Sequence, residues 1–317
     1  MEALHTPVML EEVILYLAPR KEGELMWDAT TGEGGHTWAF LSRFRDLRIT
    51  CIDIDPAIQN IAKERLKAFE ERISFHLGWA QDYFDSYPPE SGRPDTILID
   101  LGISRFHYEQ SGRGFSFRKD EELDMRLDPS SPRSAADLIS RLRERELADL
   151  LYRNAGERYS RRIAKAIVEG RKLGAIRSSR ALAELVERAV PPAYRRGPLH
   201  PATKTFQALR IAVNGELSRL GGLLAGALRV LAPGGRLGVL SFHSLEDRVI
   251  KDFFRLKNRG CTGTPEAPIT ESEGCPALRI LTPKGIAPGE AEKRANAPSR
   301  SARLRVAEKL LNEDGEP

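Results

Sequence analysis

The spacing of apolar residues changes twice along this chain. Over residues 8–17, Leu10, Val13, Ile14 and Leu17 recur at helical intervals and predict an opening helix. Short apolar runs follow at 25–30, 48–54, 73–78 and 95–101, with helical stretches near 35–44 and 56–70 between them. Alternation of this kind predicts a parallel sheet with helices on both faces. From about 105 to 210 the alternation stops, and amphipathic helices are expected near 134–154, 157–172 and 179–190. For the last, Ser179 is the expected N-cap, Leu182, Leu185, Val186 and Ala189 form the buried stripe, and Pro191-Pro192 ends the helix. One long helix over 203–231 then returns the chain, through a Pro-Gly-Gly turn, to a strand at 236–242. Ser244 to Asp247 reads as a capping box for a helix through Phe254. Late strands are expected at 278–283 and 302–308, set among Gly-, Pro- and Ser-rich loops at 259–277 and 284–301. The fold class is therefore α/β, a doubly wound sheet with an inserted all-helical domain. The sheet domain takes 1–106 and 211–317, and the insert 107–210.

The first strand ends at Asp28, and a glycine turn follows at Gly32, Gly34 and Gly35; the second strand ends at Asp53. Doubly wound folds hold adenosine ligands this way: glycines admit the ligand close to the backbone, and the second-strand acid accepts hydrogen bonds from ribose hydroxyls. A tight turn without a ligand is the plain alternative. Charge separates the candidate ligands. Asp28 and Glu33 would repel a pyrophosphate, by roughly 1 kcal/mol per contact at about 4 Å in water and about 4 in a partly screened site. The same carboxylates would attract the sulfonium and ammonium of S-adenosylmethionine. Thr37 also occupies the place where the dinucleotide fingerprint has its last glycine or alanine.

Other strand ends carry Asp100 and Ser241-Phe242-His243. Asp100 should protrude at the rim or cap the loop after it, and Gly102 would let a ligand approach the backbone. Arg113 to Arg118 interleaves cations with Phe115 and Phe117, a pattern suited to unpaired bases and phosphates or to anchoring a loop in a core. Lys204, Gln207 and Arg210 share one helical face that could grip a phosphate backbone or simply be solvated. A lone histidine such as His243 is more often structural than catalytic. No His, Cys and acid grouping has metal-ligand spacing.

Composition narrows the setting. The 317 residues are 41% apolar and 30% charged, and no run approaches the roughly 20 apolar residues of a membrane span. The N-terminal residues lack a signal pattern, and Cys51, Cys261 and Cys275 make no disulfide framework, so a reducing cytoplasm is expected. Net charge is +4, distributed unevenly: residues 105–215 hold 23 Lys and Arg against 14 Asp and Glu, a net +9, while the remainder holds 26 against 31. A basic insert in an acidic chain points to a polyanionic partner, or to solvated helix faces.

Six segments in order carry a resemblance: 28–36, Asp100 to Ser104, Arg113 to Phe117, Leu123 to Arg126, His200 to Gln207 and Ser241 to Arg248. Together they are similar to the bacterial ribosomal RNA small subunit methyltransferase H family, over about His5 to Arg305. The resemblance implies the sheet of class I S-adenosylmethionine-dependent methyltransferases and N4-methylation of a cytidine in the decoding region of 16S ribosomal RNA. Its cofactor contacts fall on Gly34, Gly35, His36, Asp53 and Asp100. Two more fall on changed residues: Ala80, beside Trp79, replaces the usual aromatic, and His107 replaces glutamine. The insert is implied as the RNA-recognition element, with Arg113, Phe115, Phe117, Lys204, Gln207 and Arg210 as candidate substrate contacts. Cytosine N4 is a poor nucleophile because its lone pair is delocalised, so the enzyme must unstack the base, hold its amino group and align it. Asp100, or a carbonyl within Leu101 to Ser104, is the expected acceptor; His243 and Ser241 are secondary candidates. A nicotinamide-dependent dehydrogenase and a non-catalytic ribosome-assembly factor are the rival classes.

Overall fold

Four-residue β1 (Leu25–Asp28) already displays the rule that builds the sheet: Met26 and Trp27 are both fully buried, yet they belong to opposite faces. The computed structural model describes residues 7–88, 92–259 and 277–310. Beside β1 lie β2 (Arg48–Asp53), β3 (Ile73–Leu77), β4 (Thr96–Asp100), β5 (Arg236–Ser241), β6 (Leu278–Ile280) and β7 (Arg303–Lys309). They form one sheet in the order β3-β2-β1-β4-β5-β7-β6. The first five strands are parallel, while β7 runs antiparallel to both β5 and β6. Near-continuous apolar runs such as Ile97-Leu98-Ile99 are what burial on both faces demands.

The chain divides into two units, Met1–Ile103 with Ser218–Pro317, and Ser104–Leu217. In the first, α1 (Leu10–Leu17) and α2 (Gly35–Arg43) cover one face, with Val13, Leu17 and Phe40 packed on Met26, Leu98 and Leu240. The other face holds Trp27, Ile97 and Val239 under α4 (Ala80–Ser86), α12 (Glu216–Val230) and α13 (Ser244–Asn258). Between β2 and β3 runs α3 (Pro56–Leu66), whose N-cap Asp55 accepts a hydrogen bond from the N–H of Ala57. The chain leaves β1 for β2 on one side and later enters β4 on the other, so strand order switches between β1 and β4. Ligands of open α/β sheets bind beyond the carboxyl ends of strands at such a switch.

The second unit extends past the expected 107–210 at both ends and is helical. It contains α5 (Arg105–Glu109), α6 (Ala135–Arg141), α7 (Glu144–Ala155), α8 (Ser160–Leu173), α9 (Ser179–Ala189), α10 (Pro192–Arg195) and α11 (Thr203–Asn214). Leu147, Leu151, Ile163, Ile167, Leu182 and Val186 are wholly buried there. The Asn214 side chain closes the 123–127 loop: its amide donates to the carbonyl of Met125, and its oxygen accepts the N–H of Leu127.

Several expected elements are corrected. The long helix over 203–231 is two, α11 and α12, because Gly215 adopts a left-handed conformation with φ 62° between them. The 134–154 helix breaks at Leu142 and Arg143 into α6 and α7. Ser178, not Ser179, caps α9; the Ser179 hydroxyl turns inward, donating to the carbonyl of Lys119 and accepting the N–H of Glu121. In the α9 stripe, Ala183 is buried while Leu185 and Ala189 are only half-buried. Part of the expected 284–301 loop is α14 (Glu290–Ala295) and a 3₁₀ turn. Most of the expected 259–277 loop lies outside the described residues. Among the described residues, no helix is long and apolar enough to cross a membrane.

Trp27 anchors the second face, stacked 5.6 Å from Phe84 and met edge-on by Tyr83 and Tyr87 at 5.1 and 4.6 Å. Its indole N–H is buried without a hydrogen-bond partner. Trp27→Ala should therefore cost about 3–5 kcal/mol in urea unfolding. Trp27→Phe, which removes the orphaned donor and keeps an aromatic ring, should cost less than about half of that.

Candidate active site

The turn after β1 is held by β2. Thr31 donates its N–H to the carbonyl of Ile52 at 3.0 Å, and Gly32 donates to Asp53 Oδ2 at 2.8 Å. Asp53 Oδ1 also accepts the N–H of Asp55 at 3.0 Å. Both oxygens of Asp53, half-buried at the end of β2, are thus turned to backbone N–H groups at the strand ends. Gly34 combines φ 75° with tight packing: a Cβ there would lie 2.9 Å from Leu66 Cδ1. The glycine pattern is thus required by the turn itself.

Asp28 departs from its expected place beside a ligand. It is 2% exposed, beneath the turn, and accepts the Thr37 hydroxyl at 2.6 Å. Burial pushes its carboxyl up to about 6, against the lowering effect of the Thr37 hydrogen bond. Asp28 pins the start of α2 and offers no charge at the surface. Glu33 is half-buried, and its carbonyl accepts from Arg65 at 3.4 Å.

At the switch between β1 and β4, the Asp100 N–H donates to Thr30 Oγ1 at 2.6 Å, and Asp100 Oδ1 accepts the N–H of Gly102 at 2.9 Å. The loop-capping alternative for Asp100 is therefore realised by one oxygen. The other, Oδ2, faces His36 Nε2 at 3.5 Å, an ion-pair distance too long for a hydrogen bond. His36 is buried, and neither ring nitrogen has a hydrogen-bond partner within the protein. Gly102 has no room for a side chain, since a Cβ would come within 2.9 Å of both Asp100 Oδ1 and the Phe242 ring.

Phe242 is fixed from behind. Buried Glu246 Oε2 accepts the N–H of Phe242 at 2.8 Å and of His243 at 3.2 Å. His243 Nδ1 accepts the N–H of Glu246 at 3.3 Å, so the ring proton lies on Nε2, 2.9 Å from Glu246 Oε1. The expected capping box at Ser244 and Asp247 is corrected by one residue: the N-cap of α13 is His243, and its N3 partner is Glu246. Asp247 instead pairs with Arg305 through two hydrogen bonds of 2.7 and 3.0 Å. His243 thus serves the cap through Nδ1, while Nε2 lies near Glu246 Oε1 without a hydrogen bond, and Ser241 is buried facing the Arg303 carbonyl. Ala80 is a buried first residue of α4 and supplies no ring, and the ring of neighbouring Trp79 lies under the Arg219 guanidinium at 4.5 Å.

In the helical unit, His107 is buried 5.2 Å from the Phe115 ring, and Phe115 is 5% exposed. Arg113 donates to the carbonyls of Arg126 and Leu127 at 2.8 and 3.2 Å. Phe117 lies between His200 and Phe206. Lys204 donates to the Gly156 carbonyl at 3.2 Å, and Arg210 binds both oxygens of Glu216 at 2.9 Å. Gln207 is half-buried on α11. The Arg210–Glu216 pair spans Gly215, outside any helical spacing, so no periodic signal announces it. Glu246 went unrecognised for a related reason: a capping histidine displaces the box from its usual Ser or Thr.

Residues 2–310 match the model of the MraW methylase family. The chain is 52% identical over 310 residues to ribosomal RNA small subunit methyltransferase H of Treponema denticola, covering 98% of each. It is 44% identical to the protein of that name from Borrelia turicatae, covering 96% of this chain and 98% of the relative. The counterpart from Treponema pallidum is 42% identical over 96% of this chain and 92% of its own length.

The raised carboxyl of Asp28 has a definite sign. Below the unfolded value of 3.8 both states are protonated; between 3.8 and about 6 only the folded state holds the proton, so stability falls as pH rises through that window. Asp28→Asn should remove this dependence and gain on the order of 3 kcal/mol relative to wild type between pH 4 and 7. Parallel urea titrations across that range provide the check.

Proposed function

The chain belongs to the MraW methylase family, and from that premise we propose that it methylates the exocyclic N4 of a cytidine in the decoding region of small-subunit ribosomal RNA, with S-adenosylmethionine as donor. The observation that carries the reading is the group at the β1/β4 switch: the turn bound to Asp53, and the buried His36 ring facing Asp100. These residues suit the donor. Asp53 places a carboxylate at the tip of β2 where a ribose would lie, Gly34 and Gly35 bring backbone close, and His36 has two buried ring nitrogens without partners in the protein. Ala80 adds an apolar wall in place of a stacking ring.

S-adenosylmethionine, when bound, supplies a methyl group activated by the adjoining sulfonium. The protein's part is to hold the amino group. Asp100 Oδ1 is engaged by Gly102, so Oδ2 is the oxygen that accepts a hydrogen from cytosine N4. That bond orients the amino group and draws its lone pair out of conjugation with the ring. The amino proton leaves after methylation, when the nitrogen is acidic, so Asp100 need not act as a strong base. Phe242, held by Glu246, keeps Gly102 and hence Asp100 in place. His243 and Ser241 act through this scaffold. The Ser104–Leu217 unit is the RNA-recognition element, the assembled small subunit the substrate, and the bacterial cytoplasm the setting.

Incubating the protein with radiolabelled S-adenosylmethionine and unmethylated small subunits should yield label in N4-methylcytidine; label in another nucleoside, or none, overturns the reading. Gly102→Ala should lower kcat about 10²-fold, because its Cβ must displace Asp100 or Phe242. Asp100→Asn should lower kcat by a similar factor while the protein still folds.

A further inference from the structure

The aromatic residues of the helical unit are mostly occupied. Phe115 is buried. Tyr159 and Tyr194 lie 4.9 Å apart under the Arg158 guanidinium, which is 4.8 and 5.0 Å from their rings. Phe117, the ring that the sequence pattern offers to a base, meets the His200 imidazole at 4.5 Å and an interplanar angle of 29°. The Phe206 ring approaches it nearly perpendicular at 5.1 Å. His200 itself is exposed.

Three features make this imidazole a platform. Its Nδ1 accepts the N–H of Ala202 at 3.2 Å, which leaves the ring proton on Nε2 and fixes the ring plane. Phe117 backs it, and Pro201 and Ala202 anchor the chain immediately after it in the core. Before it, residues 195–199 are all exposed, and Leu199 is 62% exposed, an apolar side chain with no place in the core. Exposed Arg118 follows Phe117 directly, and exposed Arg196 lies four residues before His200. A fixed flat ring, an adjoining apolar side chain and flanking arginines match the chemistry of an unpaired nucleotide.

We propose that His200 is a stacking platform for an unpaired RNA base, backed by Phe117, with Leu199 beside the base and Arg118 and Arg196 available to adjacent phosphates. This rests on RNA being the substrate and adds the residue that meets it.

The test uses the full chain and a fluorescein-labelled, unstructured pyrimidine oligoribonucleotide, followed by anisotropy at fixed salt. His200→Ala should weaken binding about tenfold, His200→Phe should keep wild-type affinity, and Leu173→Ser, at an exposed residue on α8, should change nothing. The same RNA in a perfect duplex should show no His200 dependence. In methyl transfer to unmethylated small subunits, His200→Ala should raise KM for the subunit and leave kcat unchanged. Unaltered single-strand affinity in His200→Ala overturns the proposal, as does an equal loss in His200→Phe, which would assign the contact to a hydrogen bond. Should the wild type fail to label N4-methylcytidine, the functional reading falls, and the anisotropy comparison still decides the platform.

Discussion

Carboxylates that accept backbone N–H groups hold together the rim where the strands end. Asp53 takes Gly32 and Asp55, Asp100 takes Gly102, and Glu246 takes Phe242 and His243. Loops at the ends of a parallel sheet leave donors that no strand can satisfy, and a charged acceptor is the strongest remedy available. Each acid belongs to a different connection, and the loops also brace one another: the Asp100 N–H donates to Thr30, and Gly102 packs against Phe242. The rim therefore stands ready before any ligand arrives, with both ring nitrogens of buried His36 unbonded by the protein.

Much of this was legible in the spacing of apolar residues, and the reason is geometric. Strands buried on both faces read as unbroken apolar runs, and β1, β2, β4 and β5 lie within the segments so marked, as does the less buried edge strand β3. Breaks inside helical pattern were not legible. Gly215 interrupts 203–231 by its backbone angle while the apolar spacing continues on both sides of it. Caps were misplaced by one residue at Ser178 and His243, because adjacent residues compete for the same orphan N–H groups and only the loop's path decides between them.

Charge at the strand ends does not come from Asp28. Asp28, read from sequence as part of an acidic rim, is buried on Thr37, and its environment favours the neutral form. Asp53, Asp100 and Glu33 are the neighbouring acids that are only half-buried. The turn geometry alone suits adenosine ligands in general. It is the family relationship, spanning residues 2–310, that selects a methyl donor among them. Electrostatics is consistent with that choice without deciding it.

The basic excess of the insert is not all surface charge. Several of its guanidiniums are internal hardware: Arg113 holds the carbonyls of Arg126 and Leu127, Arg171 those of Ile139 and Leu142, and Arg210 pairs with Glu216. Arginine suits this work because its fork of donors can close several loop carbonyls at once. A guanidinium bonded to neutral carbonyls keeps its charge, so Arg113 and Arg171 still add to the long-range field that draws a polyanion. Both are half-buried, which limits their direct contact with it. The net +9 over residues 105–215 therefore measures attraction at a distance, not the number of phosphate contacts. Close recognition must rest on what remains outside, and there the exposed ring of His200 on Phe117 provides what the count of cations cannot: a surface that tells an unpaired base from a stacked one.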